Sequence, residues 1–174
     1  MKQKKLIIFI PSIEGGGVEK NLFIIGNYLS KKIDNILLIT SSKKNTKKFD
    51  NRIKLITAKN YLSNYSGRKF KYVICLFLLF REIIKDKNIL VLSFQANFYC
   101  SILCKILNIK VITRSNSSPK GWSNNIIKET MFKILFKLPN ENIVNSYKFK
   151  DELKKRFNIN SLCIYNPLNK NEIK

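Results

Sequence analysis

The sequence predicts one α/β domain with a doubly wound, mostly parallel sheet. Short runs rich in Ile, Leu and Val alternate with longer segments of helical spacing, which is typical of βαβ units. The 174 residues fit a single domain, and their 45% hydrophobic content supplies enough apolar side chains for its core. Because the connection between two parallel strands is right-handed, the alternation predicts helices on both faces of the sheet.

The first predicted strand covers residues 6–10, an unbroken run of Leu, Ile and Phe. Such a run is expected of a central parallel strand that is buried on both faces. Shorter β-rich runs predict the other strands at residues 36–40, 53–57, 89–92, 110–113, 142–144 and 162–165.

The first helix is predicted from one apolar stripe at helical spacing, formed by Val18, Leu22, Ile25 and Leu29. It ends near Lys31, a charge that suits the negative end of a helix dipole. Further helices are predicted at residues 70–85, 97–107, 124–138 and 147–157, the last with Ser146 as its N-cap. Residues 41–51 and 59–69 are rich in Lys, Asn and Ser and are predicted to be loops.

The net charge of the chain indicates which classes of molecule it is expected to bind. The 33 Lys and Arg residues exceed the 11 Asp and Glu residues, for a formal net charge of +22. Phosphates, nucleic acid and anionic lipid headgroups are therefore the expected partners.

The chain contains no His, which excludes imidazole general bases, Ser-His-Asp triads and metal sites that need imidazole. The four cysteines lack CxxC spacing. Two thiolates without a further ligand do not hold zinc, so we expect free, buried thiols in a reducing compartment, with no metal and no cofactor.

The start of the chain is basic, but residues 6–10 form too short an apolar run for a signal peptide. The longest apolar stretch, residues 72–80, is far below the roughly 20 residues of a membrane-spanning helix. We expect a cytoplasmic protein, with peripheral contact to the inner face of the membrane as an open alternative.

Three successive glycines, Gly15, Gly16 and Gly17, follow the first strand and precede the first helix. In open α/β sheets ligands bind beyond the carboxyl ends of the strands. A bare backbone and the positive end of a helix suit an anion there, which predicts a phosphate site. The alternative is that the glycines only form a tight turn.

Two other phosphate motifs do not fit. A dinucleotide fingerprint requires its third glycine at position 20, which is Lys20, and the second strand is followed by no ribose-binding acid. A P-loop requires Gly-Lys-Ser/Thr, which the sequence lacks. The sequence therefore argues against NAD binding and against a P-loop.

The run Gly-Gly-Gly-Val-Glu at residues 15–19 resembles the GGxE loop that opens the N-terminal domain of glycosyltransferase family 4 enzymes, which have the two-domain GT-B fold. Segments 91–94, 110–116, 143–146 and 164–167 resemble later strands, an Arg-containing loop and the interdomain Asn-Pro hinge of that family, in the same order. The resemblance spans nearly the whole chain.

The resemblance implies transfer of a sugar from a nucleotide-diphosphate sugar to a glycan or lipid-linked acceptor, usually with retention and without metal, in polysaccharide or cell-envelope synthesis. Residues 1–166 would be the Rossmann-like, acceptor-side domain, and residues 167–174 the start of the interdomain linker. The donor-binding domain with its paired glutamates would be missing. We therefore expect half an enzyme, from a truncated or split gene or as a fragment, that is inactive unless a partner supplies the second domain.

The resemblance also suggests site residues, but no catalytic residue. Gly15, Gly16 and Gly17 would face the donor phosphates, and Glu19 is either a ligand contact or a carboxylate that favours the helix N-terminus. The candidates for acceptor binding follow the fourth and fifth strands and are Ser93, Gln95, Asn97, Arg114 and Asn116. A helix N-cap role for one of the first three is the alternative. Trp122 could stack on a sugar or simply pack.

Three further hypotheses remain open. The segment 70–84 is apolar nearly all round with basic ends, which predicts either burial or contact with a membrane surface. A basic nucleic-acid-binding protein is suggested by charge alone, although the lysines are scattered and no helix-turn-helix, RNP or zinc-finger pattern accompanies them. A non-catalytic membrane- or sugar-binding remnant would share the fold.

Overall fold

The computed structural model describes residues 4–14, 16–41, 43, 45–58, 67–116 and 126–168. Within these residues, seven strands form one parallel sheet in the order β3-β2-β1-β4-β5-β6-β7. They are β1 (Lys5–Phe9), β2 (Ile36–Thr40), β3 (Ile53–Thr57), β4 (Ile89–Ser93), β5 (Lys110–Ser115), β6 (Glu141–Val144) and β7 (Leu162–Cys163). The predicted doubly wound α/β fold is confirmed.

The α-helices of the described residues are α1 (Gly17–Leu29), α2 (Arg68–Lys85), α3 (Asn97–Ile106), α4 (Ile126–Lys137) and α5 (Tyr147–Phe157). The N-cap prediction for α5 is confirmed, because Ser146 Oγ accepts a hydrogen bond from Phe149 N at 3.2 Å. None of the helices in the described part of the chain has both the length and the hydrophobicity that crossing a bilayer requires.

Some boundaries differ from the prediction. A short 3₁₀ helix, Thr46–Lys48, interrupts the segment expected to be a loop, and α2 begins at Arg68 rather than at residue 70. Strand β7 ends at Cys163, two residues early, because the carbonyls of Ile164 and Tyr165 accept hydrogen bonds from a side chain of β5 instead of from another strand. Residues 59–66, Trp122 and most of the predicted linker lie outside the described residues.

The central strand β1 separates two cores. Ile7, Ile8 and Phe9 are fully buried, as predicted for a strand covered on both faces. Ile7 and Phe9 pack with buried residues of α2 and α3, including Leu79. Ile8 packs on the opposite face with Leu22 of α1. Alternation along the strand thus sends neighbouring side chains to different helices.

A third cluster joins α4 and α5 to β6 and includes Phe136, Val144, Phe149 and Leu153. On the sheet face that carries α1, no helix of the described residues covers β4, β5 and β6. There Leu90, Ile112 and Ile143 line an apolar recess of about 500 Å³. Right-handed crossovers explain this, because the connections that run from β3 towards β7 all place their helices on the other face.

The four cysteines are free. Cys75, Cys100 and Cys104 are buried, as predicted, and Cys163 is half-buried. Burial raises the pKa of Cys75 to about 12.

Candidate functional site

The carboxyl ends of β1 and β4 border the point where the strand order of the sheet reverses. From β1 the chain crosses to β2 on one side, whereas β4 lies on the other side. Ile10 N donates to Ile39 O at 3.1 Å, and Phe94 N donates to Phe9 O at 3.0 Å, so the three strands remain paired up to this edge. Ligands of open α/β sheets bind in the crevice at such a point.

The glycine turn after β1 is exposed. Gly16 is the N-cap of α1 in an extended conformation, and Gly17 is its first residue, whereas Gly15 lies outside the described residues. A Cβ atom added to Gly17 would meet nothing within 4 Å. No backbone carbonyl of a described residue accepts from the N–H groups of Gly16 or Gly17. Among the described residues, the Gly16 and Gly17 N–H groups at the start of α1 thus have no backbone acceptor, and they lie at the positive end of the helix dipole.

A cleft of about 430 Å³ lies beside this turn. Its wall includes Gly17 and two basic residues, Lys20 and Lys48, together with the segment 166–168. The arrangement combines helix N–H groups with ammonium groups, which suits an anionic ligand.

Gln95 ties the turn to the end of β4. Its Oε1 accepts from Ser12 N at 3.2 Å, and its Nε2 donates to Glu19 Oε1, also at 3.2 Å. Glu19 is only 6% exposed. A Cβ atom on Gly16 would lie 2.9 Å from Glu19 Oε2, so the bare backbone at Gly16 makes room for this carboxylate. Gln95 was predicted to bind the acceptor, and Glu19 either to contact a ligand or to favour the helix N-terminus. In the structure the two side chains brace the turn, and the ligand contacts remain predictions.

Glu14 carries the exposed charge of the turn. It accepts from Ser12 Oγ at 2.5 Å and from Lys71 Nζ of α2 at 3.0 Å. The Ser12 hydrogen bond first, and then Lys71, hold the pKa of Glu14 below its usual value. Sequence reasoning missed these three residues, because Lys71 lies 57 positions from Glu14 and no local pattern links them.

Ser93 and Asn97 join the ends of β4 and β5. The fully buried Ser93 lies with its Oγ 2.8 Å from Asn97 Oδ1, to which it donates, and Asn97 Nδ2 donates to Arg114 O at 3.0 Å. The alternative N-cap role is wrong, because the N-cap of α3 is Ala96, in a left-handed conformation and without a side-chain capping bond.

Arg114 is 2% exposed, and its guanidinium contacts the segment that follows β7. Its Nη2 donates to Ile164 O at 3.1 Å and to Asn166 Oδ1 at 3.0 Å. Burial lowers the pKa of Arg114. The side chain therefore already holds a segment of its own chain, and its predicted contact with an acceptor remains a prediction.

A second cleft, of about 300 Å³, gathers most of the predicted acceptor residues. Gln95, Asn97, Arg114 and Asn116 contribute to its wall, with Tyr99 and Val18. The buried Oδ1 of Asn116 has no hydrogen-bond partner among the described residues, whereas Asn116 O accepts from Asn145 Nδ2 at 3.0 Å. The residue with this unpaired amide oxygen thus lines the cleft together with aromatic and aliphatic side chains. Ser93 lies beneath it rather than in its wall.

Neither a protein-family model nor a curated protein matches the chain in sequence. Solved structures match its fold. HepE of Anabaena, in complex with UDP and glucose, is similar with a TM-score of 0.66 and 15% identity over 97% of this chain and 46% of that chain. A glycosyltransferase from Rickettsia africae ESF-5 gives a TM-score of 0.65 and 18% identity over 97% of this chain and 44% of that chain.

An alpha-glucosyltransferase in complex with UDP and DNA is also similar, with a TM-score of 0.54 and 14% identity over 97% of this chain and 44% of that chain. The chain thus spans about half the length of these glycosyltransferases. The comparisons confirm a single Rossmann-like domain of the GT-B type. At these identities they establish the fold alone.

Proposed function

We propose that this chain is the acceptor-side half of a family 4 glycosyltransferase. It would act with a second domain to transfer a sugar from a nucleotide-diphosphate sugar to a glycan or lipid-linked acceptor, with retention of configuration, in polysaccharide or cell-envelope synthesis. The observation that carries the proposal is the open glycine turn at the start of α1, located where the strand order reverses. The proteins of similar fold that were solved with UDP support a nucleotide sugar as the donor.

The chemistry assigned to the turn is stabilisation of the leaving group. Negative charge builds on the diphosphate as the bond to the sugar breaks. The N–H groups of Gly16 and Gly17, with Gly15 preceding them, would donate to that charge, and Lys20 and Lys48 would add positive charge in the same cleft. The hydrogen bonds of Gln95 would hold these N–H groups in position before the nucleotide sugar binds. Preorganised electrostatic stabilisation requires this.

The acceptor would occupy the cleft of about 300 Å³. Asn97 Oδ1 accepts one hydrogen bond from Ser93 and has a second lone pair for a sugar hydroxyl, and Asn116 Oδ1 has no partner among the described residues. Tyr99 offers an aromatic surface against which an apolar sugar face packs. No residue of the chain is assigned as catalytic. The second domain would bind the nucleotide through its paired glutamates. That domain would be encoded on a separate chain or in a further part of this chain.

A titration of the ¹⁵N-labelled chain with UDP tests the donor site by NMR. We expect saturable shifts of the amides of Gly16 and Gly17, with weak affinity. Gly17→Asp should weaken UDP binding by more than about tenfold, because it places a carboxylate next to the open donors. Gly67→Asp is the matched control, since a Cβ atom on Gly67, the N-cap of α2, also meets nothing within 4 Å. Equal loss in both variants, or no loss in either, would contradict the donor site.

The isolated chain should release no UDP from UDP-glucose. Robust sugar transfer by the purified chain alone would overturn the proposal that it is half of an enzyme. Binding of nucleic acid remains a separate hypothesis that rests on net charge.

A further inference from the structure

Helix α2 has two apolar sides. One is buried in the core, where Cys75, Leu79 and Ile83 are fully shielded from solvent. The other points outward and is formed by residues spaced three and four apart, between 37% and 63% exposed: Phe70, Val73, Phe77, Phe80 and Ile84. The all-round hydrophobicity of this segment therefore reflects a buried side and a separate apolar side that the described part of the chain leaves uncovered.

Helix α3 continues this surface. Tyr99 and Ile106 are 50% and 74% exposed. Between the two helices runs an apolar groove of about 370 Å³, lined by Phe77 and Phe80 on one side and by Ile102 and Leu103 on the other. We call the exposed apolar residues of α2 and α3 together the α2/α3 face. Contiguous apolar surface of this kind marks an interaction site.

The exposed charged side chains of these two helices are all basic. The basic side chains are Arg68, Lys69, Lys71, Arg81, Lys85 and Lys105. The one acidic residue of α2 and α3 is Glu82, which is buried and forms ion pairs with Lys85 and with Lys5. A second copy of a chain with a net charge of +22 would place like charges against this rim. An anionic surface is complementary to it.

The α2/α3 face also reaches the candidate site. Tyr99 lines both the groove and the cleft proposed for the acceptor. At the other helix, Lys71 at the start of α2 is ion-paired with Glu14 of the turn after β1. A ligand with a polar head in the cleft and an apolar tail would thus find continuous apolar surface beyond Tyr99.

We propose that the α2/α3 face docks on a lipid bilayer with anionic headgroups. Its aromatic and aliphatic side chains enter the boundary between headgroups and acyl chains, and the surrounding Lys and Arg side chains contact lipid phosphates. The proposal does not depend on sugar transfer, because apolar exposure and charge alone carry it. If both proposals hold, docking brings the acceptor cleft to the membrane surface, as a lipid-linked acceptor requires.

The test is co-sedimentation of the full chain with vesicles of phosphatidylcholine, with and without phosphatidylglycerol. We expect binding to the anionic vesicles that weakens with added salt, and much weaker binding to the neutral ones. The triple variant Val73→Gln, Phe77→Gln, Ile84→Gln should bind at least about tenfold more weakly. Its control, Tyr28→Gln with Leu168→Gln, removes large exposed side chains elsewhere and should bind like the unaltered chain.

A second pair of variants, which have the same net charge as each other, tests whether the position of the basic side chains matters. Lys69→Gln, Arg81→Gln and Lys105→Gln together should reduce binding by about fivefold per side chain. The control Lys32→Gln, Lys43→Gln and Lys54→Gln lowers the net charge equally at exposed positions outside α2 and α3. Circular dichroism checks that each variant is folded.

Three results would overturn the proposal. One is the absence of binding to anionic vesicles. Another is an equal loss of vesicle binding in the control variants and in the variants of the α2/α3 face. Such a result would indicate a general attraction of a basic protein to anionic vesicles. The third is a stable dimer in analytical ultracentrifugation that the Gln triple variant of α2 dissociates, which would assign the face to a second copy.

Discussion

Nε2 of Gln95 donates a hydrogen bond to Oε1 of Glu19 at 3.2 Å, joining residues 76 positions apart. The contact connects the loop after β4 to the first turn of α1, on the C-terminal side of the glycine turn. The same Gln95 side chain also accepts from Ser12 N, so one amide fixes the turn from both sides. Both residues thus act on the candidate donor site through its geometry.

Gln95→Glu should destabilise the chain by about 1–3 kcal/mol at neutral pH, because it replaces the donor to a buried carboxylate with a second carboxylate. The loss relative to the unaltered chain should shrink as the pH is lowered and one of the two carboxyl groups becomes protonated and can donate. Urea denaturation of both proteins at several pH values measures this. A deficit that does not depend on pH would contradict the predicted charge repulsion.

Gly16→Ala and Gly17→Ala should have opposite effects. At Gly16 the new Cβ atom would lie 2.9 Å from Glu19 Oε2, and Ala is a poor N-cap, so we expect a loss of about 1 kcal/mol. At Gly17 the Cβ atom enters open space at the first helical position, so stability should be unchanged or rise by up to about 1 kcal/mol. Urea midpoints compare the two, and equal losses would show that the turn is tighter than its exposure indicates.

Arg114→Leu should destabilise the chain by about 1.5–3 kcal/mol, because it removes charge-assisted hydrogen bonds to Ile164 O and Asn166 Oδ1. Asn166→Ala removes only one of these acceptors and should cost less. The local readout is amide hydrogen exchange, which we expect to accelerate around Ile164 in both variants, more in the first. Unchanged exchange in Arg114→Leu would mean that the segment is held by other contacts.

Lys71→Gln should raise the pKa of Glu14 towards its ordinary value, although the hydrogen bond from Ser12 keeps part of the depression. A carboxyl group with a depressed pKa stabilises the fold above its unfolded-state pKa, and this is lost as the pH falls through the folded-state pKa. The Lys71 variant should therefore lose a small stabilisation at neutral pH that is absent in acid. An NMR titration of the Glu14 carboxyl measures the pKa, and Lys69→Gln, which alters an exposed lysine two positions away, should leave it unchanged.

The order of strands and helices could be predicted because it depends on local patterns. An unbroken apolar run predicts that β1 is buried on both faces, and capping chemistry predicts the role of Ser146. The low polarity of thiols predicts that Cys75, Cys100 and Cys104 are buried. The end of β7, which the prediction placed two residues too late, depends on a side chain from a distant strand. No pattern within the last strand reports where the Arg114 guanidinium lies.

The amino-acid sequence by itself determined the α/β class, the position of the glycine turn and the residues that follow each strand, because these properties arise from spacing along the chain. Tertiary structure alone decided what those residues contact: Glu19 and Gln95 meet each other, and Arg114 binds Ile164 and Asn166. It also decided which apolar residues of α2 face outward. The physical reason is that a buried polar group takes whichever partner the assembled sheet brings within about 3 Å, and that partner can come from any part of the chain.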